Sequence, residues 1–222
     1  ILMSLLIKGV KVVDGTGREP FKADVLVQKN IISSIGEIKG RHAEKVIEGL
    51  GNYLVPGFID PHARSDHNLG IFLNPRQDIF VRQGVTTIVA GQHGASLAPL
   101  MYGALESVRK WADLHQVNVN WHEFAEFVSQ LKRFKPGVNF ASLVGHSTLR
   151  RDILGKRKLL EKKELDVLLR EARLAVKQGA YGISSDFGFV SGGLASVKET
   201  VALGKIAKEF DVPHMIGLRD GR

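Results

Sequence analysis

The sequence predicts an α/β protein: a small β-only unit over residues 1–55, then a parallel sheet wrapped by helices over residues 56–222. Three observations carry that reading. The first 55 residues hold short β-branched runs separated by turn residues, with no helical period. From Pro56 on, strand-length apolar runs alternate with longer amphipathic ones, which implies right-handed βαβ crossovers and parallel strands. Successive strand-like runs also end on polar residues. Phe58-Ile59 leads to Asp60 and His62, Val85–Ala90 to His93, Val138–Val144 to His146, and Tyr181–Ser184 to Asp186. In a (β/α)8 barrel or a doubly wound sheet, the carboxyl ends of the strands are where ligands are held.

Within the β unit, Leu5–Ile7, Val10–Val13, Ala23–Gln28 and Ile31-Ile32 read as strands, broken at Asp14–Gly17, Lys29-Asn30 and Gly36. Beyond it, Pro75 to Gln83 reads as a helix with Asn74 as N-cap and Gly84 as its stop. Val85–Ala90 follows as a buried strand. Asn120 is placed to cap a helix in which Phe124, Phe127, Val128 and Leu131 recur at helical spacing, and Val138–Val144 is the next strand. The longest helix runs from Glu161 to Gln178, with Leu165, Leu168, Leu169, Ala172 and Val176 on one stripe and Gly179 closing it. After a strand at Tyr181–Ser184, Ser196-Val-Lys-Glu199 is a capping box opening a helix through Phe210. Val212–Leu218 is the last strand. No Gly-x-Gly-x-x-Gly follows the first strand, so a barrel is favoured over a dinucleotide fold. Only about five barrel strands are present, which leaves open edges to be covered by self-association or by a carboxyl-terminal half.

Composition excludes several classes. With 44% hydrophobic residues in 222, the chain can build a core and is not disordered. No apolar stretch reaches membrane-spanning length, no signal peptide is evident, and Met3 reads as the natural start. The absence of cysteine rules out disulfides and thiolate metal ligands and fits a cytoplasmic protein. The formal net charge of +8 is concentrated at Arg150, Arg151, Lys156, Arg157, Lys158, Lys162 and Lys163, read as a solvated loop entering a helix. A nucleic-acid surface is the alternative, but no aromatic residue in that stretch offers a stacking platform.

Asp60 and His62 lie two apart, so on a strand their side chains leave on the same face. A carboxylate and an imidazole together can bind a metal or carry a proton, though a lone Asp-x-His also serves as a hydrogen-bonded structural pair. His93 and His146 carry the same two readings, and Asp186 can equally be a turn or cap residue. Asp66 and His67 follow the first pair as substrate-loop or solvated residues. His42, His115 and His122 lie away from strand ends and are read as structural.

Seven segments in order give the chain a family resemblance. They are Lys11–Gly17, Val55-Pro-Gly-Phe-Ile-Asp-x-His62, Arg82–Val89, Gly94–Leu100, Leu143–Arg150, Gly179–Ser185 and Leu218-Arg-Asp220. Together they resemble the amidohydrolase superfamily, and within it the N-acyl-D-amino-acid deacylases (D-aminoacylases). The resemblance implies an amidohydrolase-type (β/α)8 barrel beside a β-sandwich assembled from both chain termini. It implies a hydrolase that cuts a linear amide in an N-acyl amino acid, using a divalent metal, usually zinc, and an aspartate as general acid/base. Dihydroorotase- and hydantoinase-like cyclic-amide hydrolases are the runner-up; the carboxylated lysine they usually carry has no counterpart at a strand end here.

Carried over by position, the resemblance implies metal ligation by His62 and His93, with the latter in the place of a cysteine. It also implies substrate or supporting roles for Asp60, Asp66, His146, Asp186 and Arg219. Three departures stand out. Arg64 occupies the second position of the family's His-x-His and has no lone pair to donate. Gly217 and Gly221 occupy the places of a ligand histidine and a glutamate, and Phe189 replaces a common tyrosine. The catalytic aspartate is expected beyond Arg222. A weak or absent zinc site, an inactive isolated chain and a pseudoenzyme that keeps only the scaffold are therefore the expectations to test.

Overall fold

A computed structural model of the chain describes residues 4–66, 69–102, 117–155, 157, 159–188 and 194–218. The chain divides into two compact units after Gly57.

The first unit is one mixed five-stranded sheet. Strands β1 (Ser4–Val12), β2 (Phe21–Gln28) and β3 (Ile31–Gly36) form antiparallel pairs, while β4 (Lys45–Glu48) and β5 (Tyr53–Leu54) run parallel to β1. The β1–β2 register shifts between Ile7 and Val10, where Gly9 takes a positive φ of 61° and its N–H reaches Asp24 Oδ1 at 2.8 Å. That bulge needs glycine, because an L side chain resists this backbone. Val10, Val12 and Val25 form a small core backed by Ile7, Phe21, Ala23, Val27 and Leu54. Strand β4 was not legible in the sequence, because all four of its residues are exposed and it shows no buried alternation.

The second unit is a parallel sheet ordered β10-β9-β8-β7-β6, built from β6 (Phe58–Asp60), β7 (Val85–Ala90), β8 (Asn139–Gly145), β9 (Gly182–Asp186) and β10 (His214–Gly217). Spatial order follows chain order without a reversal. A doubly wound sheet reverses at a switch point, whereas a barrel does not, so this curled sheet is the five-strand arc of a barrel. Its centre is dry. All five residues of β9 are buried, and Ile88, Leu143, Val144 and Ile183 are fully so. Burial on both faces is what parallel strands require.

Helices cover the sheet: α1 (Gly70–Leu73), α2 (Asp78–Val81), α3 (Phe124–Phe134), α4 (His146–Leu154), α5 (Lys162–Lys177) and α6 (Val197–Glu209). The apolar stripe of α5 buries Leu168, Ala172 and Val176, and α3 buries Phe124, Phe127 and Leu131. Around α3, Phe72 stacks on Trp121 with centroids 5.4 Å apart, and Phe127 meets Trp121 at 5.5 Å.

Four sequence expectations need correction. Residues 75–83 are not one helix: Asn74 closes α1 with its N–H on Gly70 O, and Gln77, at φ 51°, starts the single turn α2. Helix α3 is capped by Glu123 in a box with Glu126, not by Asn120. The start of the basic stretch from Arg150, read as a solvated loop, lies instead in α4 (His146–Leu154). Arg150, counted in a solvated basic stretch, is 2% exposed and pairs with Glu199.

Candidate functional site

Three loops at the carboxyl end of the sheet are locked together before any ligand is considered. At the end of β6, Asp60 Oδ1 accepts the His62 N–H at 2.9 Å, an Asx turn that takes the chain off the strand. After β7, Gly91 takes a positive φ of 77° against β8, where an added Cβ would lie 2.3 Å from Leu143 O. Only glycine fits there. The Gly91 N–H donates to the buried carboxylate of Asp66 at 2.8 Å. The Ser184 hydroxyl of β9 donates to Gly91 O and accepts from Gly94 N–H, and Thr148 N–H of α4 donates to Gly94 O at 3.0 Å. The Gln92 amide donates to Pro61 O at 2.6 Å, joining the β6 and β7 loops.

This bracing presents His93, which sits at φ 55° in the left-handed region. Its Nδ1 lies 2.7 Å from Asp186 Oδ2, at the end of β9, and Asp186 Oδ1 accepts the Gly188 N–H at 2.7 Å. With Nδ1–H given to the carboxylate, a neutral imidazole keeps its lone pair on Nε2. That nitrogen is met by His62 Nε2 at 2.7 Å and by Arg64 Nη2 at 3.1 Å. His62 and Arg64 are exposed, His93 is partly so, and Asp186 is 6% exposed. Next to it, Gly217 ends β10, and a Cβ there would lie 2.6 Å from Asp186 Oδ2. The carboxylate fills the space that a side chain at 217 would need.

His146 follows β8 directly but joins a separate, buried cluster instead of His62, His93 and Asp186. It is 0% exposed, with Nδ1 3.2 Å from Ser185 Oγ and Nε2 3.3 Å from Glu199 Oε2. Ser185 Oγ also lies 2.9 Å from His214 Nε2. Ser185 faces away from Ser184 and Asp186 because side chains alternate along β9. Arg150 completes the cluster on Glu199. Burial opposes ionisation of Glu199, but hydrogen bonds from His146, Ser196 N–H and Arg150, with the Arg150 charge, outweigh it and hold the carboxyl at about 2. Burial and the neighbouring His146 push His214 down to about 4.

Of the other sequence candidates, Asp66 is buried and braces Gly91, while Arg219, Asp220, His67, Phe189 and Gly221 lie outside the described residues. Sequence reasoning missed Arg64 as a partner of His93, Ser184 and Gln92 as loop braces, and the Arg150–Glu199 pair. Two serines inside a buried strand were the available signal for the braces. Nothing in the spacing marks the pair.

The described residues do not fit a resident divalent metal. No group of three or more His, Asp or Glu side chains able to hold one occurs among the described residues. Two imidazoles sharing a tetrahedral zinc stand about 3.3 Å apart at the nitrogens, wider than the 2.7 Å between His62 and His93. The guanidinium of Arg64 occupies the nitrogen's open side, and the place of a donor at 217 is filled by Asp186.

No family description matches the sequence. The chain is 30% identical over 200 residues to a D-aminoacylase of Alcaligenes xylosoxydans xylosoxydans, which covers 89% of the chain and 40% of that protein. It superposes with a TM-score of 0.89 and 26% identity on an N-acyl-D-glutamate deacylase of Bordetella bronchiseptica, solved with zinc and a phosphonate inhibitor, over 99% of the chain and 46% of that structure. An L-hydantoinase of Arthrobacter aurescens matches at a TM-score of 0.63 and 18% identity, a likeness of fold alone. The chain thus spans less than half the length of these proteins.

Proposed function

Because the chain belongs to the amidohydrolase superfamily, on the side of the D-aminoacylases, we propose that it contributes the ligand-facing strand ends of a hydrolase acting on linear amides of N-acyl amino acids. The observation that supports this is the meeting of His62, Arg64, His93 and Asp186 at the carboxyl ends of β6, β7 and β9. Asp186 fixes the tautomer and ring orientation of His93. His62 and Arg64 supply donors beside it for a carbonyl or carboxylate oxygen.

Amide hydrolysis also needs an activated water and a proton for the leaving amine. Among the described residues no group of three or more His, Asp or Glu side chains could hold a metal to activate water, and the only carboxylate at the site, Asp186, is engaged with His93 and the Gly188 N–H. Loss of a positioned general acid/base costs about 10²- to 10⁴-fold, so the 222-residue chain alone is expected to show no measurable turnover. The test is hydrolysis of N-acetyl-D-glutamate and N-acetyl-D-methionine with zinc supplied. Turnover that vanishes in a His62→Ala, His93→Ala double variant would show the site to be complete and overturn this reading. Arg64 also favours a second reading, a scaffold that binds such ligands without cutting them. Binding of N-acetyl-D-glutamate without hydrolysis supports it.

A further inference from the structure

We infer that Ser185, anchored through His146 by the buried carboxylate of Glu199, is a positioning residue for the strand-end pair of Asp186 and His93. The inference deepens the proposed function and rests on that reading only for treating the pair as functional. It starts from where the strand ladders stop. On its β8 side, β9 is paired from Gly182 to Ser184, and Ser184 lies opposite Gly145. On its β10 side the pairing runs on to Asp186, opposite Gly217. The residues that aim the Asp186 carboxylate thus lie past the β8 ladder and lean on β10, a strand of four residues. Ser185 supplies a second attachment there. Its Oγ lies 3.2 Å from Nδ1 of His146, the residue that directly follows β8.

Charge sets the direction of each bond in this attachment. Burial opposes ionisation of Glu199, but hydrogen bonds from His146, Ser196 N–H and Arg150 hold it at about 2. Near neutral pH its carboxylate therefore only accepts. His146 Nε2, 3.3 Å away, is the donor, which leaves a lone pair on Nδ1 for the Ser185 hydroxyl. With its proton given to His146, Ser185 Oγ accepts from His214 Nε2 at 2.9 Å. Burial, with His146 nearby, keeps His214 neutral there by lowering it to about 4. Three consecutive residues of β9 then face three different neighbours. Ser184 holds the Gly91–Gly94 turn, Ser185 holds His146 and His214, and Asp186 holds His93 Nδ1 at 2.7 Å. Ser185 and Asp186 are joined by one planar peptide unit, so a shift of the first carries the second with it.

The experiment records two-bond proton–nitrogen NMR spectra of the imidazole rings in the isotope-labelled 222-residue chain, at about neutral pH and with metal removed by chelation. It is repeated on Ser185→Ala, on Glu199→Gln, and on Leu131→Ala, which opens the α3 core away from the site. In the natural chain His146 and His214 should carry the proton on Nε2, and His93 on Nδ1. In Ser185→Ala the ratio of Nδ1–H to Nε2–H forms at His93 should fall about 2- to 10-fold, the factor that goes with one net hydrogen bond. Glu199→Gln should move it in the same direction. Leu131→Ala should leave the ratio unchanged although it costs more stability. A ratio unchanged in Ser185→Ala, an equal fall in Leu131→Ala, or His146 protonated on Nδ1 in the natural chain overturns the inference. Turnover enters none of these readings, so they stand or fall apart from the proposed amide hydrolysis.

Discussion

Asp186 and Gly217 show how one missing side chain reorganises a site. With no Cβ at 217, the Asp186 carboxylate lies against that backbone and grips His93. A methyl group there must move it, so Gly217→Ala should cost about 1–3 kcal/mol in urea unfolding; an unchanged midpoint would mean that the carboxylate yields freely. The buried cluster makes a pH prediction. The folded-state value for Glu199, about 2, lies below its ordinary 4.5, so the stability it contributes is present above about 4.5 and lost as pH falls towards 2. His214, at about 4 against 6.5, resists protonation in the fold, so the unfolded chain takes the proton first and stability falls between these values. Urea midpoints should therefore decline from about pH 7 through 5 to 3. His214→Asn should flatten the upper part of that decline, and a slope that persists would remove His214 as its source. Breaking the Arg150–Glu199 pair by Glu199→Ala should cost about 3–5 kcal/mol, because it takes the carboxylate away from a buried guanidinium. At this scale Asp60, His62, His93 and Asp186 were legible because polar residues interrupt apolar runs at strand ends. Arg64's contact with His93 was not, since it depends on how two loops approach each other.

Among elements, legibility followed the apolar period. Helices α5 and α6 were read nearly to their ends because their apolar stripes are regular and their capping signals sit where the chain turns in. The Ser196 hydroxyl accepts the Glu199 N–H, so Ser196→Ala should cost about 1 kcal/mol of thermal or urea stability. Helix α4 escaped notice because it inverts the usual pattern: His146, Ser147, Thr148, Arg150 and Asp152 are all buried. A polar segment reads as a loop until the groups that satisfy it are known, and here Ser185 of β9 and Glu199 of α6 meet His146, Glu199 meets Arg150, Gly94 and Ser96 after β7 meet Thr148, and the Tyr102 N–H meets Asp152. Residues 75–83 failed for the opposite reason. Asn74-Pro75 is a sound helix-start signal, but Gln77 spends its side chain on Gly70 O and Asn74 O and bends the backbone there.

Across the whole chain, strand order rather than any single motif fixes the fold, since β6 to β10 lie side by side in chain order. The alternation of strands and helices made this readable in the sequence. The site was only half readable, because resemblance supplies positions whereas the chemistry depends on what occupies them. Its central claim is that Arg64 and Asp186 hold the ground a metal would take between His62 and His93. The most direct test is anomalous diffraction at the zinc edge from crystals of this chain soaked in zinc. The account predicts no anomalous peak between the two imidazoles and a guanidinium within hydrogen-bond reach of His93. A full-occupancy peak there, with Arg64 turned away, would contradict it.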